Sequence, residues 1–337
     1  MRTRVLRLDP RRPAQPAIDE AAAVLREGGL VAFPTETVYG LGALALSAEA
    51  VARIYAAKAR PARNPTIVHV RAEEEARRCA AGWPEAADLL ARRFWPGPLT
   101  IVVPRASNVP DVVTAGGPTV GLRCPAHPIA LALLDATGAP VAAPSANRSS
   151  RLSPTTAEHV LRGLEGRIDL VLDAGPCPGG LESTVVDVTV QPPRVLRPGP
   201  VTPAQIAEVA GGVQVDGALE PEAGPARSPG LLTRHYAPRA TLECLQSHSA
   251  ARVRALAEGG VRVGWLALGE ADAPPALAGM VAIVRMPREA RAYARRLYAA
   301  LHELDEVGVA RIVADLPPDT EEWLAVRDRL RRAAARI

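Results

Sequence analysis

Lysine is almost missing from this sequence. Of its 40 Lys and Arg residues one is lysine, Lys58, and the rest are arginine. Arginine fills any place where a plain positive charge suffices, so Lys58 marks a place where a planar fork would not serve. A compact ammonium with three rotatable donors suits a phosphate or a developing oxyanion. The other reading is a chance survivor on a solvated helix end. Aromatics are scarce too, at 3% of residues against 48% hydrophobic, so packed cores must be aliphatic. The four cysteines, Cys79, Cys124, Cys177 and Cys244, show neither paired nor metal-ligand spacing. That excludes a disulfide scaffold and a zinc ribbon and predicts reduced thiols. No apolar run approaches a membrane span, and the Arg- and Pro-rich residues 1–16 lack a signal-peptide core. A soluble, cytoplasmic protein is expected. Neither a Walker A sequence nor a dinucleotide glycine fingerprint follows the first strand. Net charge is small, +4, which suits anionic small molecules or a passing contact with RNA and demands neither.

What is present reads as two α/β domains, as the length of 337 residues also suggests. A helix over Pro16–Glu27, stopped by Gly28-Gly29, leads to a buried strand at Leu30–Phe33. That strand delivers the stretch Thr35–Gly42 at its C-terminal end, where open α/β sheets bind ligands. Gly40 and Gly42 would allow close backbone approach, although an ordinary strand-to-helix turn explains them equally well. Ser47 caps a helix with Val51, Ile54 and Tyr55 as its stripe, leaving Lys58 and Arg60 at its end. Thr66–Val70 is a β-branched strand carrying His69, which is either a satisfied core residue or part of a site. Strands follow at Leu99–Val103, Thr119–Arg123, Val141–Asn147 (ending in small hydroxyl and amide residues), Leu170–Asp173, Glu182–Val188 and Val195–Arg197. Helices are read from Pro84 through Phe94, over Pro128–Thr137 and near Pro203–Ala210. Arg123 could be a surface salt bridge, the default for an arginine.

Several of these strands end in Ser, Thr, Asn or a basic residue beside Gly or Pro. Hydroxyls, backbone amides and cations gathered at one sheet edge make an anion site, most plausibly for a nucleotide's phosphates. Residues 211–239 turn rich in Gly, Pro and acidic residues and read as a linker. Its end, Arg234-His235-Tyr236-Ala237-Pro238, is richer than a tether needs: either it is a lid that closes over the nucleotide, or Arg234 and Tyr236 dock the C-terminal domain. Beyond it, strands near 241–245, 261–268, 281–284 and 311–314, with helices around Tyr293–Leu304 and over Glu321–Ala335, imply a small parallel α/β domain.

Taken together, these residues resemble the L-threonylcarbamoyladenylate synthase family in its long, two-domain form. The resemblance rests on Pro34-Thr35-Glu36-Thr37-Val38-Tyr39-Gly40-Leu41-Gly42, on Lys58-Ala59-Arg60-Pro61 with Asn64-Pro65 and His69, and on Pro144-Ser145-Ala146-Asn147 with Ser153-Pro154-Thr155. Glu182-Ser183-Thr184, Arg197-Pro198-Gly199 and the linker's end complete it. It implies a YrdC-like catalytic domain with a twisted open mixed sheet over residues 1–210, a linker or lid over 211–239, and a Rossmann-like C-terminal domain over 240–337. It implies a nucleotidyltransferase joining L-threonine, bicarbonate or CO2, and ATP into threonylcarbamoyl-AMP and pyrophosphate, for tRNA modification. Lys58 and Arg60 would then be catalytic. Thr37, His69, Arg123, Ala143 and Ser183 would surround threonine. Arg60, Asn64, Thr119, Ser145, Asn147, Ser153, Arg197 and Tyr236 would hold ATP, with Mg2+ on the phosphates and no protein metal site. Downstream threonylcarbamoyl-transferase proteins, and a weak contact with tRNA, are the implied partners. There are two departures from the family pattern: Leu231-Leu232-Thr233 replaces Met-Lys-Tyr after Pro229-Gly230, and Thr66 replaces Leu. The competing classes are a double-stranded RNA-binding module and a carbamoyl-adenylate-handling domain. The first conflicts with the mild charge and absent aromatic platforms, the second with the lack of zinc-finger and acylphosphatase-like segments.

Overall fold

The computed structural model describes residues 2–215 and 236–335. Arg234, His235 and most of the expected linker, with its lid, lie outside the described residues. The chain divides into two compact units, Met1–Ser149 with Ser153–Leu232, and Ser150–Leu152 with Thr233–Ile337.

The first unit is built on a mixed sheet of eleven described strands. In chain order they are β1 (Arg4–Arg7), β2 (Val31–Phe33), β3 (Gly40–Leu44), β4 (Ile67–His69), β5 (Leu99–Pro104) and β6 (Thr119–Arg123). They continue with β7 (Val141–Ala142), β8 (Leu170–Asp173), β9 (Thr184–Asp187), β10 (Arg194–Arg197) and β11 (Gln214–Val215). Across the sheet the order is β1-β8-β2-β3-β7-β4-β6-β5-β9-β10-β11. The helices are α1 (Gln15–Arg26), α2 (Ala48–Lys58), α3 (Glu73–Arg78), α4 (Glu85–Phe94) and α5 (Asp111–Thr114). After them come α6 (Pro128–Thr137), α7 (Ala157–Leu164) and α8 (Pro203–Ala210).

Strand register decides what each face of this sheet carries, because side chains alternate with period two. One face presents Ala32, Leu41, Ala43, Ala142, Val68, Leu122, Ile101 and Val186, which partner one another across successive strands. All are buried in a single core with residues of α2, α3, α4, α5, α7 and α8. On the opposite face, Val31, Phe33, Val141 and Leu170 pack with Ile18 and Leu25 of α1 and Ile129 and Leu133 of α6. Burying each such side chain contributes about 1.5–3 kcal/mol. Beyond the reach of α1 and α6, the same face turns polar. By register, His69 stands beside Arg123, and Thr119 and Gly121 precede Arg123 on the same side of β6. Thr100, Val102, Val185 and Arg197 follow across β5, β9 and β10.

Gly40 and Gly42 correct the sequence reading. They are strand residues of β3, antiparallel to β2, rather than loop residues. A Cβ at Gly42 would stand 2.9 Å from both Phe33 and Val141, so this glycine admits core side chains and not a ligand. The strand β1 and the helices α3, α5 and α7 carry no assignment in the sequence reading.

The second unit holds four described strands, all parallel: β12 (Thr241–Leu245), β13 (Val263–Leu268), β14 (Val281–Met286) and β15 (Arg311–Asp315), ordered β12-β15-β13-β14. Its helices are α9 (Ser249–Glu258), α10 (Ala290–Glu306) and α11 (Leu324–Ala334). The expected stripe on α10, Tyr293, Leu297, Leu301 and Leu304, is buried. The helix α9 is a further element the sequence reading left out. Among the described residues no helix is long and apolar enough to cross a membrane.

Candidate active site

Lys58 closes α2. Ser47 caps that helix by accepting from the Ala50 amide, and Val51, Ile54 and Ala57 bury its inner face. The helix stops because Ala59 turns left-handed, at φ 50° and ψ 49°, a conformation that costs a non-glycine residue roughly 1–2 kcal/mol. This turn separates the side chains of Lys58 and Arg60. The Lys58 ammonium is buried and donates to Ser145 O at 2.5 Å, to Asn147 O, and to Asn147 Oδ1 at 3.5 Å. No carboxylate among the described residues pairs with it. Burial, and then the charge of Arg60, hold its pKa well below the ordinary lysine value. The Ser149 amide donates to Lys58 O, so both ends of Lys58 grip residues 145–149.

Arg60 is buried and directed at the turn that follows it. Its Nε donates to Asn64 O, and Nη2 to Asn64 Oδ1 and Pro65 O, at 2.9, 2.8 and 2.6 Å. The guanidinium lies 5.9 Å from the Tyr55 ring, whose hydroxyl also donates to Asn64 O. Asn64 is fully buried, yet its Nδ2 has no protein partner. Ser145 donates to Asn147 Oδ1, and Asn147 Nδ2 to Arg148 O. Thr119, which opens β6, is half-buried. Since β4 and β6 run parallel, Arg60, Asn64 and Thr119 share the end of the sheet where both strands begin. His69 and Arg123 mark the other end, about 13 Å along β6 at roughly 3.3 Å per residue.

At that other end Arg123 is no surface arginine. It is 4% exposed, and Nη2 donates to Glu36 Oε1 at 2.7 Å and Thr37 Oγ1 at 2.9 Å, while Nε has no protein partner. Thr37 Oγ1 also bonds Thr35 Oγ1 at 2.7 Å. His69, the register partner of Arg123, meets the Phe33 ring edge-on at a centroid distance of 6.2 Å and leaves Nδ1 without a partner. Burial, then the Arg123 charge, push its pKa down to about 3. A folded pKa below the unfolded value of about 6.5 means that the unfolded chain binds the proton more tightly. Stability should therefore be complete above pH 6.5 and fall as pH drops toward 3, by at most about 1.4 kcal/mol per pH unit from this residue. Urea unfolding between pH 4 and 7.5 checks this: His69→Gln should flatten that slope, and an unchanged slope would place the acid sensitivity elsewhere.

On either side of β4 and β6 the face continues through small and hydroxylated residues. Ala143, just past β7, donates its amide to Ile67 O. Thr100 and Ser183 bond through their hydroxyls at 2.8 Å, and Arg197 donates from Nε to Ser183 O and from Nη2 to Ser183 Oγ, both at 3.1 Å. Gly199 allows this packing. A Cβ there would lie 2.4 Å from Thr184 N and 2.7 Å from Ser183 C, which are backbone atoms with no freedom to yield. Ser153 is buried and donates to Glu182 Oε1. Tyr236 belongs to the second unit, at φ 62°, with its ring 5.8 Å from Tyr298 and 5.2 Å from the Arg329 guanidinium.

One face of the first unit's sheet thus brings together His69, Arg123, Thr119 and Arg197, flanked by Thr37, Ala143 and Ser183. The end of α2 and the loops beside it add Lys58, Arg60, Asn64, Ser145 and Asn147. Sequence reasoning gave no role to Glu36, Thr100 or Glu182, the side chains that hold Arg123, Ser183 and Ser153. Glu36 stood inside the quoted motif, but its partner is 87 residues away. Among the described residues no group of three or more His, Cys, Asp or Glu side chains is placed to hold a metal ion. The four thiols are free, and burial raises Cys177 to about 12, so none is poised as a nucleophile.

A buried face of cations, hydroxyls and unpartnered donors, with no nucleophile–base pair among its described residues, has the chemistry of a protein suited to receiving anionic substrates and positioning them. Comparison with known proteins agrees. A family profile described as telomere recombination, that of the Sua5, YciO and YrdC proteins, matches residues 23–199, and one described as the threonylcarbamoyl-AMP synthase C-terminal domain matches residues 201–335. The threonylcarbamoyl-AMP synthase of Pyrococcus abyssi is 42% identical over 322 residues, 93% of each chain. That of Bacillus subtilis is 44% identical over 95% of this chain and 93% of its own. The crystal structure of P. abyssi Sua5 complexed with L-threonine superposes with a TM-score of 0.92 at 40% identity, covering 98% of both chains. This chain belongs to the threonylcarbamoyl-AMP synthase family.

Proposed function

We propose that the chain joins L-threonine, CO2 drawn from bicarbonate, and ATP into L-threonylcarbamoyl-AMP, with release of pyrophosphate. The neutral threonine amine attacks CO2; as the N–C bond forms, one C=O π pair moves onto oxygen, and loss of an N–H proton to water leaves the carbamate. A carbamate oxygen then bonds to the α-phosphorus of ATP as the bond to the bridging oxygen breaks, and pyrophosphate leaves with that electron pair. The observation that carries this reading is that three of the buried polar atoms without protein partners among the described residues, Asn64 Nδ2, His69 Nδ1 and Arg123 Nε, fall on residues expected to meet threonine or ATP. Buried polar groups are nearly always bonded, so orphans on one site are most simply explained by a ligand that satisfies them.

In this reading Arg123 receives the threonine carboxylate, with Thr37, His69, Ala143 and Ser183 around the amino acid. Arg60, Asn64, Thr119, Ser145, Asn147, Ser153, Arg197 and Tyr236 hold ATP, and Lys58 lies between carbamate and α-phosphate. For Lys58 to serve, one of its donors must leave the oxygens of residues 145–147 when nucleotide arrives. Mg2+ fits as a companion of the phosphates, where it would neutralise charge on the departing pyrophosphate. Residues 1–210 would carry the chemistry, 211–239 link, and 240–337 form the C-terminal domain. The product would pass to downstream threonylcarbamoyl-transferase proteins that modify tRNA, with at most a weak tRNA contact by this chain. A cytoplasmic location goes with these substrates.

Pyrophosphate release tests the reading. It should require ATP, threonine and bicarbonate together. A site that hydrogen-bonds the threonine hydroxyl rejects analogues without it, whereas a missing methyl costs only about 1–3 kcal/mol. Serine should be a poor but detectable substrate and valine nearly inert. Equal use of valine, or release independent of any amino acid, would overturn the assignment.

A further inference from the structure

We propose that Glu36 is a positioning residue for substrate selection: it fixes the Arg123 guanidinium so that its remaining donors, the buried Nε among them, are offered to the amino-acid carboxylate. The proposal rests on the reading of Arg123 as that carboxylate's partner. Both hydrogens of Arg123 Nη2 are spent, on Glu36 Oε1 and Thr37 Oγ1, while Nε is buried with no protein acceptor. Glu36 in turn is held from the opposite side. Its Oε2 accepts from the Ala126 amide at 3.0 Å, two residues before α6 begins, where the positive end of the helix favours an anion. The backbone beside it is also pinned, since Gly180 N donates to Thr37 O at 3.0 Å, and a Cβ at Gly179 would lie 2.5 Å from Glu36 O.

This arrangement requires a carboxylate. Both oxygens of Glu36 accept, one from a guanidinium and one from a backbone amide. In Glu36→Gln the amide nitrogen must face either Arg123 Nη2 or Ala126 N, donor against donor. The fork is then free to turn, and Nε loses its fixed aim. Glu36→Asp keeps the charge and both acceptors but falls one methylene short, so it tests reach separately from charge.

The experiment measures binding of L-threonine and L-threoninamide by calorimetry, and KM for threonine and for ATP, in the full-length protein. Wild type should prefer threonine by at least about thirtyfold, the discrimination expected when a buried donor loses its charged acceptor. In Glu36→Gln that preference should shrink to about threefold or less, with KM for threonine raised at least about tenfold and KM for ATP moved less than about threefold. Glu36→Asp should fall between and gives the same readout if the Gln variant does not fold. An unchanged preference in either variant, or a parallel rise in both KM values, would make Glu36 a merely structural residue and overturn the proposal. If wild type itself fails to distinguish the two ligands, Arg123 is not the carboxylate's partner and the proposal falls with it. The requirement of pyrophosphate release for threonine is a separate result that would still stand or fail by its own assay.

Discussion

Lys58→Met will lower turnover at least about a hundredfold, or roughly 2.7 kcal/mol of transition-state stabilisation, and Lys58→Arg will lose at least about tenfold although it keeps the charge. The reason is geometric. Three oxygens, Ser145 O, Asn147 O and Asn147 Oδ1, converge on the Lys58 ammonium. A tetrahedral donor meets three converging acceptors, and a planar guanidinium on a longer stem does not. Arginine here either distorts residues 145–147 or swings away, and in both cases the charge is misplaced for a carbamate attacking phosphorus. Stability should fall less than activity. Removing the ammonium leaves acceptors unbonded, at about 1–3 kcal/mol, but it also removes a buried charge. Single-turnover pyrophosphate release with saturating ATP and threonine isolates the chemical step. Turnover of Lys58→Arg within twofold of wild type would make the lone lysine an accident of composition.

Arg123→Met should reduce threonine affinity at least about a hundredfold and destabilise the fold by about 3 kcal/mol, the low end for a broken buried pair. The low end applies because the Glu36 side chain keeps 15% of its surface exposed and retains the Ala126 amide. Most of that cost belongs to the carboxylate left behind. Adding Glu36→Gln to Arg123→Met should therefore restore much of the stability and none of the threonine affinity. Urea unfolding and calorimetric titration report the two quantities separately. A double variant no more stable than Arg123→Met alone would show that the pair is not energetically coupled. Threonine affinity within tenfold of wild type would take Arg123 out of the amino-acid site.

Elements with clear periodicity and punctuation were legible in the sequence. The helices over Pro128–Thr137 and Pro203–Ala210 and the strands Thr119–Arg123, Leu170–Asp173 and Thr241–Leu245 have the bounds their patterns indicate. Glu73–Arg78 and Arg4–Arg7 carry too few apolar residues to show a period. Ala157–Leu164 was within reach: Thr156 is its cap, and Ala157, Val160 and Leu164 make a buried stripe. The neighbouring run of Ser and Pro drew the reading toward a turn. At the site, residue types were legible and partners were not. Nothing local says whether Arg123 faces water or Glu36, since that is decided by the three strands, β3, β7 and β4, that lie between β2 and β6 in space. The same limit applied to Lys58. Its uniqueness was visible, but the oxygens it grips are 87 and 89 residues away.

The strand order also bears on how the molecule comes into being. Among the described strands β1 pairs only with β8, with Arg4 opposite Leu170, and β5 lies between β6 and β9, with Leu99 opposite Thr184. A chain emerging from the ribosome has made β5 long before the strand that covers its second edge exists. Until residues near 187 are free, that edge and the first strand remain open, and sheets closed by such distant pairings form slowly and risk association meanwhile. Ser183 and Arg197 arrive last of all the polar face. Nascent chains that end before Ser183 therefore hold Lys58 and Arg60 without either of these two residues, and substrate can help folding only after both are in place.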